Sequence, residues 1–182
     1  MGLDIEWARW LNEWAQQSAA TKAVAVFCAE PLVWVMLACY VSVFVFVKRG
    51  WVREFLSVSL GAVMVYAANL VISLWWYRPR PFLFDGTEAL VQVTASSKSF
   101  PSDHASIAFF FAYLLVAHKR NWWPAYITAA LVALGRVAVG VHYPLDVMAG
   151  VAVGVAFGYL TIGVERLFGP LPNGAENRAA DR

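Results

Sequence analysis

The segment at residues 55–76 contains no charged side chain. A transmembrane α-helix needs about 20 consecutive apolar residues to cross the hydrocarbon core of a bilayer, and this segment is long enough. The rest of the chain has the same character, because 60% of its 182 residues are hydrophobic and 14% are charged. Soluble domains carry about 25% charged residues. The sequence therefore predicts an integral membrane protein.

Four more apolar segments define the predicted fold. They lie at residues 23–47, 100–117, 122–139 and 143–164. The first is interrupted by Glu30-Pro31, so Glu30 is either an intramembrane polar contact or the residue before a span that begins at Pro31. The pattern predicts an all-α, single-domain membrane bundle of about five transmembrane helices over residues 1–168. The polar tail at 169–182 is predicted to be disordered.

The N-terminal segment has a different composition. Residues 3–20 place Trp7, Trp10 and Trp14 at helical spacing among glutamate and arginine. Indoles concentrate at the level of the lipid headgroups, so we expect an amphipathic helix that lies in the membrane interface. Packing of the same helix against protein is compatible with this interpretation.

The distribution of lysine and arginine predicts the orientation. The side with residues 48–53, residues 119–120 and the C-terminus holds eight such residues, and the other side holds six. Three of the six are candidate ligand-binding arginines, discussed below. Because cytoplasmic loops carry an excess of positive charge, the C-terminus is predicted to face the cytoplasm. The net charge of +2 is too small to indicate a nucleic-acid partner.

Three clusters of polar and reactive residues interrupt the apolar pattern on the predicted outer side. They are YRPRPF at 77–82, FPSDHAS at 100–106 and GRVAVGVHYPLDV at 135–147. Because all three lie at the same predicted membrane face, we expect them to converge. Together they supply the candidate site residues Arg78, Arg80, Ser102, Asp103, His104, Arg136, His142 and Asp146.

Two chemistries fit this set of side chains. Two histidines and two aspartates are compatible with a metal site, but three arginines repel a cation and attract an oxyanion. Guanidinium groups match the geometry of phosphate. Ser102 stands at the predicted start of a helix, where free backbone N–H groups bind anions. The set therefore favours a phosphate pocket that contains no metal.

The histidines are the candidates for bond chemistry. His142 and Asp146 are four residues apart and share a helix face. An aspartate that accepts a hydrogen bond from one imidazole nitrogen leaves the other nitrogen as a nucleophile. His104 is then the candidate general acid that protonates the leaving oxygen.

The face of His142 and Asp146 continues along the predicted last helix. Gly150, Gly154 and Gly158 follow at the same spacing of four, and such a stripe lets another helix approach closely. We therefore expect the catalytic face to point into the bundle.

The three clusters resemble the signature of the type 2 phosphatidic acid phosphatase superfamily, KxxxxxxRP, PSGH and SRxxxxxHxxxD. The resemblance covers residues 69–150 approximately. The matching positions are Arg80 and Pro81, then Pro101, Ser102 and His104, then Arg136, His142 and Asp146.

Three positions depart from the signature. Ser73 replaces its lysine, Gly135 its serine and Asp103 its glycine. We expect Arg78 or Lys98 to supply the missing charge, although Arg78 is equally interpretable as a headgroup anchor. Asn69 and Ser73 lie one turn apart, and they are expected to line the pocket or to bond between helices.

With the aspartate of FPSDH, and with RPRPF and GVHYP, the chain resembles the bacterial undecaprenyl-diphosphatases of the bacitracin-resistance type. This resemblance implies a phosphohistidine intermediate, no metal cofactor and a lipid phosphate substrate. It also implies a bacterial plasma membrane location with the site facing outward. A phosphatidylglycerophosphate, phosphatidic acid or lipid A phosphatase is the first alternative. An inactive lipid-binding scaffold is the second, because the lysine at position 73 is missing.

Overall fold

A computed structural model describes residues 2–47, 52–94, 98–118 and 122–168, and within these ranges every regular element is an α-helix. The elements are α1 (Gly2–Gln16), α2 (Ala19–Ala29), α3 (Pro31–Val47), α4 (Val52–Trp75), α5 (Pro81–Phe84), α6 (Asp103–His118), α7 (Pro124–Ala138) and α8 (Pro144–Phe168). The predicted all-α fold is thus confirmed. The predicted tail at 169–182 and the basic loops at 48–51 and 119–121 lie outside the described residues.

The N-terminal helix is shorter than predicted. The expected helix over 3–20 ends at Gln16, and α2 starts at Ala19. Ser18 accounts for the break, because its hydroxyl accepts from the Thr21 N–H at 3.1 Å while the Thr21 hydroxyl accepts from the Ser18 N–H at 3.0 Å. This reciprocal capping box satisfies two donors at the start of α2, so the chain begins a second helix there.

The two faces of α1 have opposite characters. Trp7 and Trp10 are 56% and 59% exposed. The opposite face is buried against the protein and carries Asp4, Ala8, Asn12 and Ala15. The helix therefore packs through small and polar side chains and leaves its indoles at the surface.

The lengths of the helices bear on how many of them cross the membrane. By length and composition, Phe55–Trp75 and Pro144–Leu167 are long and apolar enough, and the pair α2–α3, bent by 43°, provides a third candidate. The bend falls at Glu30-Pro31, where Pro31 opens α3. Helices α6 and α7 are apolar but have only 16 and 15 residues. The prediction of about five spans depends on these two short helices.

The apolar core lies where α6 meets α3, α4, α7 and α8. Phe110 and Leu114 of α6 are fully buried there, together with Val65 of α4 and Val132 of α7. At one end of this core the His118 imidazole Nε2 lies 2.9 Å from the Glu165 carboxylate, whose other oxygen accepts from the Ser57 hydroxyl at 2.5 Å. His118 is thus a partly buried contact between α6 and α8.

The glycine stripe of α8 packs directly against α6. A β-carbon added at Gly150 would lie 2.7 Å from the backbone oxygen of Ser102, and one at Gly154 would collide with the backbone of Ser106 and Phe110. The close helix approach expected from the stripe is confirmed. It brings the first turn of α6 against the first turn of α8, and these turns carry two of the three sequence clusters.

This contact predicts a large cost for a single methyl group. Gly154→Ala should lower the stability of the folded protein by about 1–3 kcal/mol or more, because backbone atoms cannot move aside as a flexible side chain would. Gly163→Ala is the matched control, since a β-carbon there meets nothing within 4 Å. Thermal unfolding of both variants in detergent checks the prediction. Equal unfolding temperatures for the two variants would contradict it.

Candidate active site

The three sequence clusters meet at one end of the bundle. The Ser102 N–H donates to the Asp146 carbonyl at 3.1 Å, and the Ser99 N–H donates to the Arg78 carbonyl at 2.9 Å. The Arg80 guanidinium donates to the Val141 carbonyl at 2.9 Å. These bonds join the segment after α4, the start of α6 and the α7–α8 connection, as the common membrane face predicted.

His142 lies in the α7–α8 connection and is 3% exposed. Its Nδ1 lies 2.7 Å from the Ser99 carbonyl oxygen. A carbonyl only accepts, so Nδ1 carries the proton and Nε2 keeps a lone pair. Burial, assisted by the nearby Arg136 and Arg80 charges, lowers the pKa of His142 to about 4. The imidazole is therefore neutral at pH 7, as a nucleophile requires.

Asp146 holds this histidine indirectly, which corrects the expected direct bond. Its Oδ2 is 3.8 Å from His142 Nδ1, too far for a hydrogen bond. The same oxygen accepts from the Ser99 hydroxyl at 2.5 Å and from the Tyr143 N–H at 2.8 Å. Ser99 is thus the residue between the two. Nothing in the sequence around Ser99 distinguishes it from the neighbouring serines.

Arg78 binds two carboxylates in this structure, and its expected role as a phosphate ligand stays a prediction. Its two terminal nitrogens donate to Asp146 Oδ1 at 2.9 Å and to Asp4 Oδ2 at 2.6 Å. The guanidinium carbon also lies 3.6 Å from the centre of the Tyr143 ring, a cation–π distance. The geometry assigns Arg78 to positioning Asp146.

Lys98 and Ser73 also have protein partners. The Lys98 ammonium donates to the Pro101 carbonyl at 3.0 Å and to Asp103 Oδ1 at 2.9 Å. The Ser73 hydroxyl donates to the Leu70 carbonyl of its own helix at 2.7 Å. In this structure both side chains bind protein groups, and neither is arranged to replace the phosphate-binding lysine that the signature has at position 73.

Arg136 differs from the other two arginines. Its side chain is 3% exposed, and its Nη1 reaches Glu30 Oε1 only at 3.5 Å and the Ala29 carbonyl only at 3.4 Å. Its Nε is buried without a hydrogen-bond partner. A buried donor left unpaired costs about 1–3 kcal/mol, so this nitrogen indicates a place where a ligand oxygen would be bound.

Polar residues beside the site organise the start of α6. The Ser102 hydroxyl lies 3.5 Å from the Ala105 N–H, in the position of a helix cap. The Asn69 amide donates to Asp103 Oδ1 at 2.8 Å and to the Ser106 hydroxyl at 2.9 Å. Asn69 is therefore a buried link between α4 and α6, which was one of its two expected roles.

His104, in the first turn of α6, is only partly buried. It lies on the wall of a cavity of about 160 Å³. The other walls are mostly apolar and come from α3 and α6: Val33, Trp34, Leu37, Asp103 and Ile107. The candidate general acid thus stands at the edge of an apolar cavity.

Within the described residues, no group of three or more His, Cys, Asp and Glu side chains is arranged to hold a metal ion. The two aspartates of the clusters are instead paired with basic side chains, Asp103 with Lys98 and Asp146 with Arg78. Metal-independent catalysis stays a prediction, tested below.

Comparison with known proteins agrees with this geometry. The sequence model of the PAP2 superfamily matches residues 54–168, which include all three clusters. The chain therefore belongs to the PAP2 superfamily of membrane lipid phosphatases, and the resemblance seen in its motifs is confirmed.

Three relatives illustrate the similarity. The undecaprenyl-diphosphatase BcrC of Bacillus subtilis is 25% identical over 80% of this chain and 76% of its own. The decaprenylphosphoryl-5-phosphoribose phosphatase of Mycolicibacterium smegmatis is 36% identical over 71% of this chain and 68% of its own. The crystal structure of Aquifex aeolicus LpxE shares the fold, with a TM-score of 0.71 at 20% identity, over 90% of this chain and 96% of its own.

Proposed function

We propose that this phosphatase hydrolyses an isoprenoid lipid diphosphate, undecaprenyl diphosphate or a close analogue, to the monophosphate and inorganic phosphate. The observation that carries the proposal is His142, a buried, neutral imidazole with Nδ1 bound to the Ser99 carbonyl and its pKa lowered to about 4 by burial. That arrangement provides a nucleophilic nitrogen at neutral pH. The arginine-rich surroundings match a phosphate electrophile.

In the first step, the Nε2 lone pair of His142 attacks the terminal phosphorus. A P–N bond forms, and the bond from phosphorus to the bridging oxygen breaks. His104 donates a proton to that oxygen, which leaves on the lipid monophosphate. Arg80 and Arg136 stabilise the charge on the equatorial oxygens, and the unpaired Nε–H of Arg136 is suited to donate a hydrogen bond to one of them.

In the second step, a water molecule attacks the phosphohistidine. His104, now neutral, takes one proton from that water, and the P–N bond breaks to release phosphate and restore the His142 lone pair. His104 thereby regains the proton that it gave to the leaving group, so the cycle closes without a further reactant.

Two observations favour an isoprenoid substrate. The apolar cavity next to His104 offers contacts to the first units of a hydrocarbon chain while the phosphates lie among the arginines. Two of the similar proteins are named for polyprenyl substrates, undecaprenyl diphosphate and decaprenylphosphoryl-5-phosphoribose. The second of these names supports a polyprenyl-linked phosphomonoester as the alternative substrate.

The site is proposed to face the outer side of the plasma membrane. This orientation rests on two arguments. Lysine and arginine are in excess on the opposite predicted side of the membrane, and the proposed substrate is a carrier lipid diphosphate. An outward site would act on carrier lipid diphosphate that is exposed in the outer leaflet.

A substrate panel in detergent tests the proposal. We expect phosphate release from undecaprenyl diphosphate to exceed release from phosphatidic acid, phosphatidylglycerophosphate and lipid A by at least about tenfold in kcat/KM, which corresponds to about 1.4 kcal/mol of differential transition-state binding. Faster turnover of a phospholipid monoester would assign the enzyme to that lipid. No release from any substrate would support the inactive scaffold.

Chelation tests the absence of a metal requirement. Activity on the preferred lipid should be unchanged in EDTA, because Arg80 and Arg136 stabilise the charge that a divalent ion would otherwise stabilise. Phosphate release is measured before and after chelation and after addition of Mg²⁺, Mn²⁺ or Zn²⁺. Loss on chelation with rescue by one of these ions would restore the metal-site interpretation.

A further inference from the structure

Helix α1 contributes a buried carboxylate to the cluster around His142, although it lies outside the residues that match the PAP2 superfamily. Asp4, near its start, is 8% exposed. One carboxylate oxygen accepts from Arg78 Nη2 at 2.6 Å, and the other accepts from the Leu145 N–H in the first turn of α8 at 2.9 Å. Asp4 therefore engages two of the segments that form the site.

The position of α1 is fixed by a second buried residue, Asn12, which is 1% exposed. Its amide nitrogen donates to the Glu88 and Ala138 carbonyls at 2.9 and 3.0 Å. Its amide oxygen accepts from the Glu88 N–H at 2.9 Å and from Gln16 at 2.8 Å. An asparagine side chain has two donors and one two-fold acceptor, so all of its bonds are made. The helix is thus docked in one register.

A continuous series of short bonds leads from Asp4 to the imidazole. Arg78 joins Asp4 to Asp146 through bonds of 2.6 and 2.9 Å. Asp146 holds the Ser99 hydroxyl at 2.5 Å, and the Ser99 carbonyl holds His142 Nδ1 at 2.7 Å. Each group in the series has its orientation set by the one before it.

We propose that Asp4 is a positioning residue for the reaction, acting through Arg78, Asp146 and Ser99 on the orientation of His142. The inference rests on the proposed role of His142 as the nucleophile. Without the Asp4 charge, Arg78 keeps only one of its two carboxylate partners, and a single amide oxygen stands where two carboxylate oxygens accepted from Arg78 and the Leu145 N–H. The imidazole is then held less firmly in the attacking geometry, and a small misplacement of a reacting group lowers the rate steeply.

Substitution of Asp4 is expected to lower kcat and to leave KM nearly unchanged. Asp4→Asn removes the charge and should lower kcat about tenfold or more, while KM stays within about twofold because Asp4 touches neither Arg80 nor Arg136. Asp4→Glu keeps the carboxylate and should recover part of the loss. Glu6→Gln is the matched control on the same helix, since Glu6 is exposed, and it should behave as wild type.

A double-mutant cycle separates positioning from general destabilisation. On an Arg78→Gln background, Asp4→Asn should lower kcat by less than about twofold, because the residue through which it acts is already gone. Thermal unfolding and elution from a sizing column show whether each variant is folded. The inference is overturned if Asp4→Asn equals Glu6→Gln in kcat, if the two losses multiply in the double variant, or if kcat falls only in step with the folded fraction.

The same experiment includes wild type and His142→Ala on undecaprenyl diphosphate. An active wild type, an inactive His142→Ala and a normal Asp4→Asn would refute the role of Asp4 alone. Turnover by His142→Ala, or none by wild type, would refute the proposed function instead.

Discussion

Replacing His142 with alanine should leave a folded protein with essentially no turnover. The loss in kcat is expected to be at least about 10³-fold and to approach the roughly 10⁶-fold that removal of a nucleophile costs in other hydrolases. No second imidazole can take over, because His104 is proposed to face the leaving oxygen and His118 is paired with Glu165 in the last turn of α6. Phosphate release from undecaprenyl diphosphate, measured on protein of verified folding, checks the prediction.

His118→Ala is the control for this measurement. It removes a histidine that is bonded to α8 in the last turn of α6, away from the three clusters. We expect it to retain activity in proportion to the folded protein recovered. If His142→Ala retains appreciable activity, the nucleophile is another group.

The second large effect is expected at His104 and depends on the leaving group. His104→Ala should slow hydrolysis of a lipid diphosphate by about 10²–10⁴-fold, since the departing phosphate oxygen is no longer protonated. For an aryl phosphate, whose leaving group departs as a stable anion, the substitution should slow the first step much less. Parallel assays of both substrates with wild type and variant give the ratio of the two losses in rate.

The pH dependence provides an independent measure for this variant. A general acid must be protonated to act, so wild-type kcat should fall as the pH rises and His104 loses its proton in the enzyme–substrate complex. That decrease with rising pH should be absent in His104→Ala. Equal losses on both substrates together with an unchanged pH profile would contradict the role of proton donor.

Most of the helices were predictable because they are apolar segments bounded by charge, proline or polar residues. The uncharged run at 55–76 became α4, and Pro31, Pro124 and Pro144 each open a helix. The boundary at Ser18 was missed, because a serine followed by threonine is a weaker capping signal than serine followed by glutamate or glutamine. The short α5 was also missed, since four residues give no periodic pattern.

The site was predictable where a motif carries its own geometry. The glycine stripe placed its face of α8 inward, as observed in its packing against α6, and the spacing of four predicted the proximity of His142, which precedes α8, and Asp146, in its first turn. What the motif did not reveal is the link between them through Ser99. That link depends on a serine outside the motifs whose backbone oxygen meets the imidazole only after folding.

The arginines show most clearly that contacts formed only on folding cannot be predicted from a motif. Nothing in the sequence distinguishes Arg78 from Arg80, which are two residues apart in YRPRPF. Asp4, which is 74 residues from Arg78 in sequence, binds it together with Asp146. The expectation that Arg78 or Lys98 supplies the positive charge missing at position 73 therefore rested on proximity alone. The structure instead leaves the Nε of Arg136 as the buried guanidinium nitrogen without a partner among the described residues.

A covalent intermediate on His142 is the central feature of the proposed function, and it can be trapped directly. Undecaprenyl diphosphate radiolabelled in its terminal phosphate is mixed with enzyme and quenched in alkali within the first turnover. We expect a label on the protein that is stable in alkali, lost in acid and located in the peptide containing His142, and that does not form in His142→Ala. Active enzyme that acquires no label, or equal labelling of His142→Ala, would contradict the phosphohistidine mechanism.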